Sequence, residues 1–194
     1  MLTVYIDFKA PAAYLALKPT LALAAKYDLE LDWRPFRTVE RDVPKTTGNE
    51  TVGESHRRVR AASQRSTQIK YAKLQGIDLI FPKAPSETNL ALAALTILPS
   101  HHTEFVTAAF AAYWQDHADL SDEETVMTLI HKSAGIIDLP PPASWQDTLD
   151  ASLSAAEEAG IVGAPAYVID SQIFVGREHL PWIEEIISAS DPSG

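Results

Sequence analysis

Two segments nearly the whole chain apart hold the residue types that could do chemistry. They are Ile6-Asp7-Phe8-Lys9-Ala10-Pro11-Ala12-Ala13-Tyr14 near the start and Gly163-Ala164-Pro165-Ala166-Tyr167-Val168-Ile169-Asp170 near the end. In the first, an apolar run from Leu2 to Phe8 stops at Ala10-Pro11, and a helical pattern follows with a proline in its first turn, where the missing N–H costs nothing. A strand feeding a helix N-terminus presents unpaired N–H groups and a partial positive charge, which favour an anion and lower the pKa of a thiol held against them. In the second, a small residue and a proline stand directly before a β-rich run, a place for a cis X-Pro bond that turns the backbone sharply. Lys9, beside the helix start, carries an ammonium able to stabilise a thiolate or a carboxylate, against the plainer role of a surface lysine at a strand end.

The elements that must position these residues follow from periodicity and breakers. Residues 2 to 8 read as a buried strand, 11 to 27 as an Ala/Leu-rich helix with Pro19 inside it, and 29 to 36 as a second strand, which makes a β-α-β start with a parallel sheet. Residues 37 to 51 are polar and read as a loop. From about 52 to 158 the periodicity is helical throughout, over 52 to 75, 87 to 98, 102 to 117, 122 to 133 and 144 to 159, with breakers at Gly76, Pro82, Pro85, Pro99, Gly135 and Pro140-Pro141-Pro142. Strands at 166 to 170 and 172 to 175 and a helix at 179 to 189 close the chain, with a fraying tail from Ser190. Residues 1–50 and 160–194 are therefore expected to form an α/β domain and 51–159 a helical insertion.

Composition narrows the chemistry. The 194 residues contain no Cys, which removes thiolate metal sites, thiol nucleophiles and disulfide exchange within the chain. A net charge of −10 works against nucleic acid and anionic membranes as partners, and no apolar window reaches the roughly 18 residues of a spanning helix. The strand-like opening, unlike a secretory signal, points to a cytoplasmic protein. The basic cluster His56-Arg57-Arg58-Val59-Arg60, with Arg65, Lys70 and Lys73, reads as the solvated face of a helix. No metal site is expected: adjacent His101 and His102 point apart on a helix and lack partners at ligand spacing. Gly-rich phosphate loops and Gly-x-Ser-x-Gly are absent.

The two segments and the order of the elements resemble the thioredoxin-like fold of the DsbA family. Within it the chain is similar to the group of 2-hydroxychromene-2-carboxylate isomerase and the kappa-class glutathione transferases. The similarity is carried by Asp7 to Tyr14, Trp33-Arg34-Pro35-Phe36, Thr47-Gly48-Asn49, Phe81-Pro82 leading to Pro85-Ser86-Glu87-Thr88, Gly160 to Pro165, and Val175-Gly176-Arg177-Glu178-His179-Leu180. Ala10 stands where the redox proteins carry a cysteine and the glutathione-using relatives a serine, and Ala13 where the second cysteine stands.

The resemblance implies glutathione, or a similar thiol, lying between the helix start at Ala10 and the Ala164-Pro165 turn, with the backbone of Ala164 pairing with it like a short strand. It further implies contacts from Asn49 and from Glu178, for which helix capping is the plainer role. Ala10 removes the hydroxyl that serves the thiolate in the relatives, and Ala91 and Ala93 replace polar residues of the group. Two functions follow: isomerisation or conjugation of an aromatic substrate by a bound thiol, with Lys9 and Ala10 at the reacting centre, or a binding module that has lost catalysis. A homodimer is also implied by the relatives.

Overall fold

The computed structural model describes residues 1–39, 50–77, 79–83, 87–135 and 138–190. The chain divides into two compact units, Met1–Thr38 with Phe81–Gly194, and Val39–Ile80.

The larger unit is built on a four-stranded sheet in the order β2-β1-β3-β4. β1 (Leu2–Ile6) and β2 (Leu31–Pro35) are parallel, with Leu2 opposite Leu31 and Ile6 opposite Pro35, and α1 (Pro11–Lys26) makes the crossover between them. β3 (Ala166–Ile169) runs antiparallel to β1 with Tyr5 opposite Ala166, and β4 (Gln172–Val175) closes a hairpin onto β3. Asp170 and Ser171 both take positive φ, the type I′ geometry whose twist matches a two-residue hairpin. α3 (Asn89–Ile97), α4 (His102–Trp114), α5 (Glu123–Ala134) and α6 (Trp145–Glu158) lie between the two halves of the sheet in sequence, and α7 (Leu180–Ser190) ends the chain. The expected elements are all present. Several of them end one to three residues earlier than periodicity suggests, β1 at Ile6 and α4 at Trp114 among them, whereas α5 and α7 end one residue later, at Ala134 and Ser190.

An aromatic cluster forms much of the core. Phe8 meets Phe105 and Phe110 edge-on, Tyr14 stacks on Trp114 with centroids 5.7 Å apart, and the Trp114 indole donates to the Phe8 carbonyl at 2.9 Å. That hydrogen bond satisfies the one polar atom the indole brings into the core. At the far end of α1, Glu184 of α7 accepts from Lys26 at 2.5 Å and from Tyr27 at 3.1 Å. These two donors hold its carboxyl below the usual carboxylate range.

The smaller unit carries α2 (Val52–Gln75). Thr51 and Glu54 form a reciprocal capping box at its start, and Gly76 in the left-handed region ends it. Only Ala72 of this helix is buried.

Candidate functional site

At the N-terminus of α1, Ala10 is the capping residue and its methyl group offers no cap. Its carbonyl accepts from the N–H groups of Ala13 and Tyr14, at 3.0 and 3.1 Å. Pro11 has no N–H, so among the described residues the Ala12 N–H is left open in the first turn. The helix start is therefore a donor site that the side chain at position 10 does not fill.

The Ala164–Pro165 peptide bond is cis. Because Tyr5 lies opposite Ala166 in an antiparallel pair, the chain leaving β1 toward Ala10 and the chain entering β3 through Pro165 lie at the same end of the sheet. The Pro165 carbonyl accepts from the Gly176 N–H at 2.8 Å, whereas the N–H and C=O of half-buried Ala164 have no partner among the described residues. A buried or half-buried amide without a partner is uncommon, and this one has the two groups an extended ligand pairs with.

Glu178 belongs to a short 3-10 turn, Arg177–His179, that precedes α7, and it caps no helix. Its exposed carboxylate folds back over Gly176, which at φ +106° has no Cβ to displace it. The expected helix-start position is thus one turn early. Glu178 instead sits beside the glycine that is bonded to Pro165. Beneath it Tyr167, fully buried, shares a 2.8 Å hydrogen bond with Thr20 of α1. Burial pushes the Tyr167 phenol up to about 12; the Thr20 bond and Arg177 pull against this, and Glu178 adds to it.

Lys9 is held by its neighbours. Its side chain is only 11% exposed, and its ammonium pairs at 3.2 Å with Glu87, itself 68% exposed. Behind it, Asp7 is fully buried and accepts three hydrogen bonds: from the Thr38 N–H at 2.8 Å, the Thr88 hydroxyl at 2.9 Å and the Lys9 N–H at 3.2 Å. Residue chemistry alone does not single out Asp7 or Thr88. The one local cue is an acid directly after an apolar strand. Asn49 lies outside the described residues. Tyr14 is buried in the aromatic core with its hydroxyl accepting from Gln115 at 3.0 Å. Among the described residues no three His, Asp or Glu side chains gather as a metal site.

The site offers open N–H donors, one carbonyl and one ammonium, but no thiol or hydroxyl at the helix start. A chain with no sulfhydryl is no thiol-disulfide oxidoreductase. A 2-hydroxychromene-2-carboxylate isomerase from Sphingobium xenophagum is 25% identical over 193 residues, covering 94% of this chain and 95% of that one. The solved structure of a 2-hydroxychromene-2-carboxylate isomerase superposes with a TM-score of 0.71 at 18% identity, over 97% of this chain and 94% of that one. The cytosolic disulfide reductase DsbM from Pseudomonas aeruginosa, solved with GSH, superposes at 0.55 and 15% identity over 97% and 96% of the two chains. The model of the DSBA-like thioredoxin domain matches residues 1–188, and the chain belongs to that family.

Proposed function

We propose that this protein binds glutathione or a similar thiol between the start of α1 and the Ala164-Pro165 turn, in the cytoplasm, and uses the bound thiol to isomerise or conjugate an aromatic compound. The observation that carries this reading is the pair of open Ala164 backbone groups at the same sheet end as the open Ala12 N–H. An extended peptide pairs with the first, and a cysteinyl sulfur placed at the second gains from the helix dipole. Glu178, beside Gly176 and Pro165, faces the ligand's amine, and the resemblance alone adds Asn49 as a further contact.

With Ala10 unable to donate, the nucleophile and its activation come from the ligand sulfur, the α1 N-terminus and Lys9. Lys9 acts only after leaving Glu87. The alternative is a binding module without turnover, favoured by the Ala10 methyl and by the Lys9–Glu87 pair that neutralises the nearest cation.

Calorimetric titration with reduced glutathione tests the site. Saturable binding that weakens in Glu178→Ala and Asn49→Ala is expected, and silence at millimolar ligand removes the thiol pocket. Turnover of a chromene carboxylate or an aryl halide, by wild type and by Ala10→Ser, then separates the two functions. Binding without turnover in wild type, with turnover restored by the serine, identifies the module.

A further inference from the structure

β4 is an outer strand of the sheet, and the groups on its free edge follow from the register. A two-residue hairpin closes on a hydrogen-bonded pair, here Ile169 with Gln172, so Tyr167 and Phe174 form the next such pair. The 2.8 Å bond from the Gly176 N–H to the Pro165 carbonyl continues the same alternation. The pairs in between, Val168 with Ile173 and Ala166 with Val175, are the non-bonded ones. The N–H and C=O groups of Ile173 and Val175 therefore point away from β3, and they have no partner among the described residues. The strand carries no proline, charge or bulge that would discourage pairing.

The same two residues expose apolar side chains on one face of the sheet. Ile173 and Val175 share that face with Val168 and Ala166, and they are 40% and 37% exposed. Residues 160–163 run beside them: a Cβ on Gly163 would lie 3.1 Å from a Val175 methyl, and one on Gly160 3.9 Å from the Ile173 δ-methyl. Val162, within that segment, is 80% exposed. Open backbone groups and exposed apolar side chains thus coincide at one edge. Its surroundings are acidic. From residue 133 to residue 176 the chain has six carboxylates and no Lys or Arg, and the next cation, Arg177, lies beyond Gly176. Of the six, Glu157, Glu158 and Asp170 bracket segment 160–163 and the hairpin, are exposed, and make no ion pair among the described residues.

We propose that β4 receives an extended segment of a partner protein as a further, antiparallel strand, with apolar residues at alternate positions against Ile173 and Val175 and lysine or arginine at its ends. An added strand satisfies the open groups of both residues at once, and its alternate side chains fall on the face where Val162 is also exposed. Basic ends complement Glu157, Glu158 and Asp170. The occupant is a peptide segment, not a second copy. A four-residue edge is about 14 Å long, too short to supply the roughly 1,200–2,000 Å² that a stable protein interface buries. A second copy would also bring a further net charge of −10 to an acidic surface. The thiol reading is not needed for this contact.

The probe is a capped, fluorescein-labelled peptide of alternating valine and threonine with lysine at both ends, titrated into the full chain. Fluorescence anisotropy is expected to show saturable binding below about 1 mM. Amide hydrogen exchange should slow at Ile173 and Val175 and stay unchanged at Phe174, which is already bonded to Tyr167. N-methylation of the valines, whose N–H groups face β4, is expected to weaken binding by about 10-fold or more, whereas N-methylation of the threonines changes it by about threefold or less. Glutamate in place of the terminal lysines should weaken it by about 3–10-fold. Ile173→Thr with Val175→Thr, which keeps β-branched side chains, should weaken it by about 10-fold with unchanged far-ultraviolet circular dichroism. No saturation at about 1 mM overturns the proposal, as does binding that leaves the Ile173 and Val175 amides unprotected or is indifferent to valine methylation. Protection of those amides by rising protein concentration alone overturns it in favour of a second copy.

Discussion

A carboxylate taken out of water must be given hydrogen bonds, and Asp7 has three, each from a different part of the larger unit: the turn into α1, the segment after β2 and the residue before α3. Thr88 stands at the N-cap of α3 yet makes no cap bond, its hydroxyl being turned to donate to Asp7. The helix forgoes roughly 1 kcal/mol of capping, and the carboxylate gains a donor in exchange. Asp7 thereby fixes the backbone of Lys9, one residue before the open helix start. Thr88→Val is expected to cost about 1–3 kcal/mol by leaving one carboxylate oxygen short of a donor. Asp7→Asn costs at least as much, since its amide N–H group must face donors. Urea unfolding of both variants and of the double variant measures this, and the two effects should be strongly non-additive. Additive losses would mean that the Thr88 bond is incidental.

At the scale of elements, α1 and β3 are joined by the Tyr167–Thr20 bond, with the 3-10 turn of Arg177 and Glu178 beside it. The phenol's folded pKa of about 12 lies above its unfolded value near 10, so the folded form keeps the proton where the unfolded chain has lost it. Its contribution is whole below about pH 10 and is lost as pH rises toward 12, in total about 2–3 kcal/mol. Tyr167→Phe should therefore flatten part of the alkaline decline in stability, measured by urea unfolding at stepped pH. An unchanged slope would show that the hydroxyl is not enclosed. The elements themselves were legible in the sequence, since period and breakers are local properties: Pro11 and Gly76 mark helix ends, and Ala164-Pro165 marks the turn. The contacts that set the site were less legible. Asp7 finds Thr38 and Thr88 far along the chain, Lys9 finds Glu87, and no local pattern announces a partner at that distance. Helical periodicity over 52 to 158 likewise says nothing of which helices pack with the sheet, and α2 clusters apart from the others.

For the molecule as a whole, the two halves of the candidate site come from opposite ends of the chain and meet only because β3 pairs with β1. A ligand bound there requires the closed sheet, so its binding energy adds to the stability of the entire larger unit. Glutathione at about ten times its dissociation constant adds about 1.4 kcal/mol, which for a chain of this size raises the unfolding midpoint by about 3–6 °C. At a pH that keeps the ligand's thiol protonated its sulfur should matter little to that shift, since the helix dipole and an ammonium act on the thiolate. Ala10 provides no hydroxyl for a thiolate, and the other contacts proposed, the Ala164 backbone and Glu178, would address the peptide. S-methylglutathione is accordingly expected to raise the midpoint as far as glutathione does, within about 1 °C, in differential scanning calorimetry at matched saturation. Ala10→Ser should break the equality in favour of the free thiol, and the gap should widen as pH rises and the thiolate fraction grows. If wild type answers glutathione and ignores its S-methyl form, the sulfur is being recognised by another group. Lys9 is then the first to examine, and Glu87→Gln, which frees its ammonium, should enlarge the discrimination.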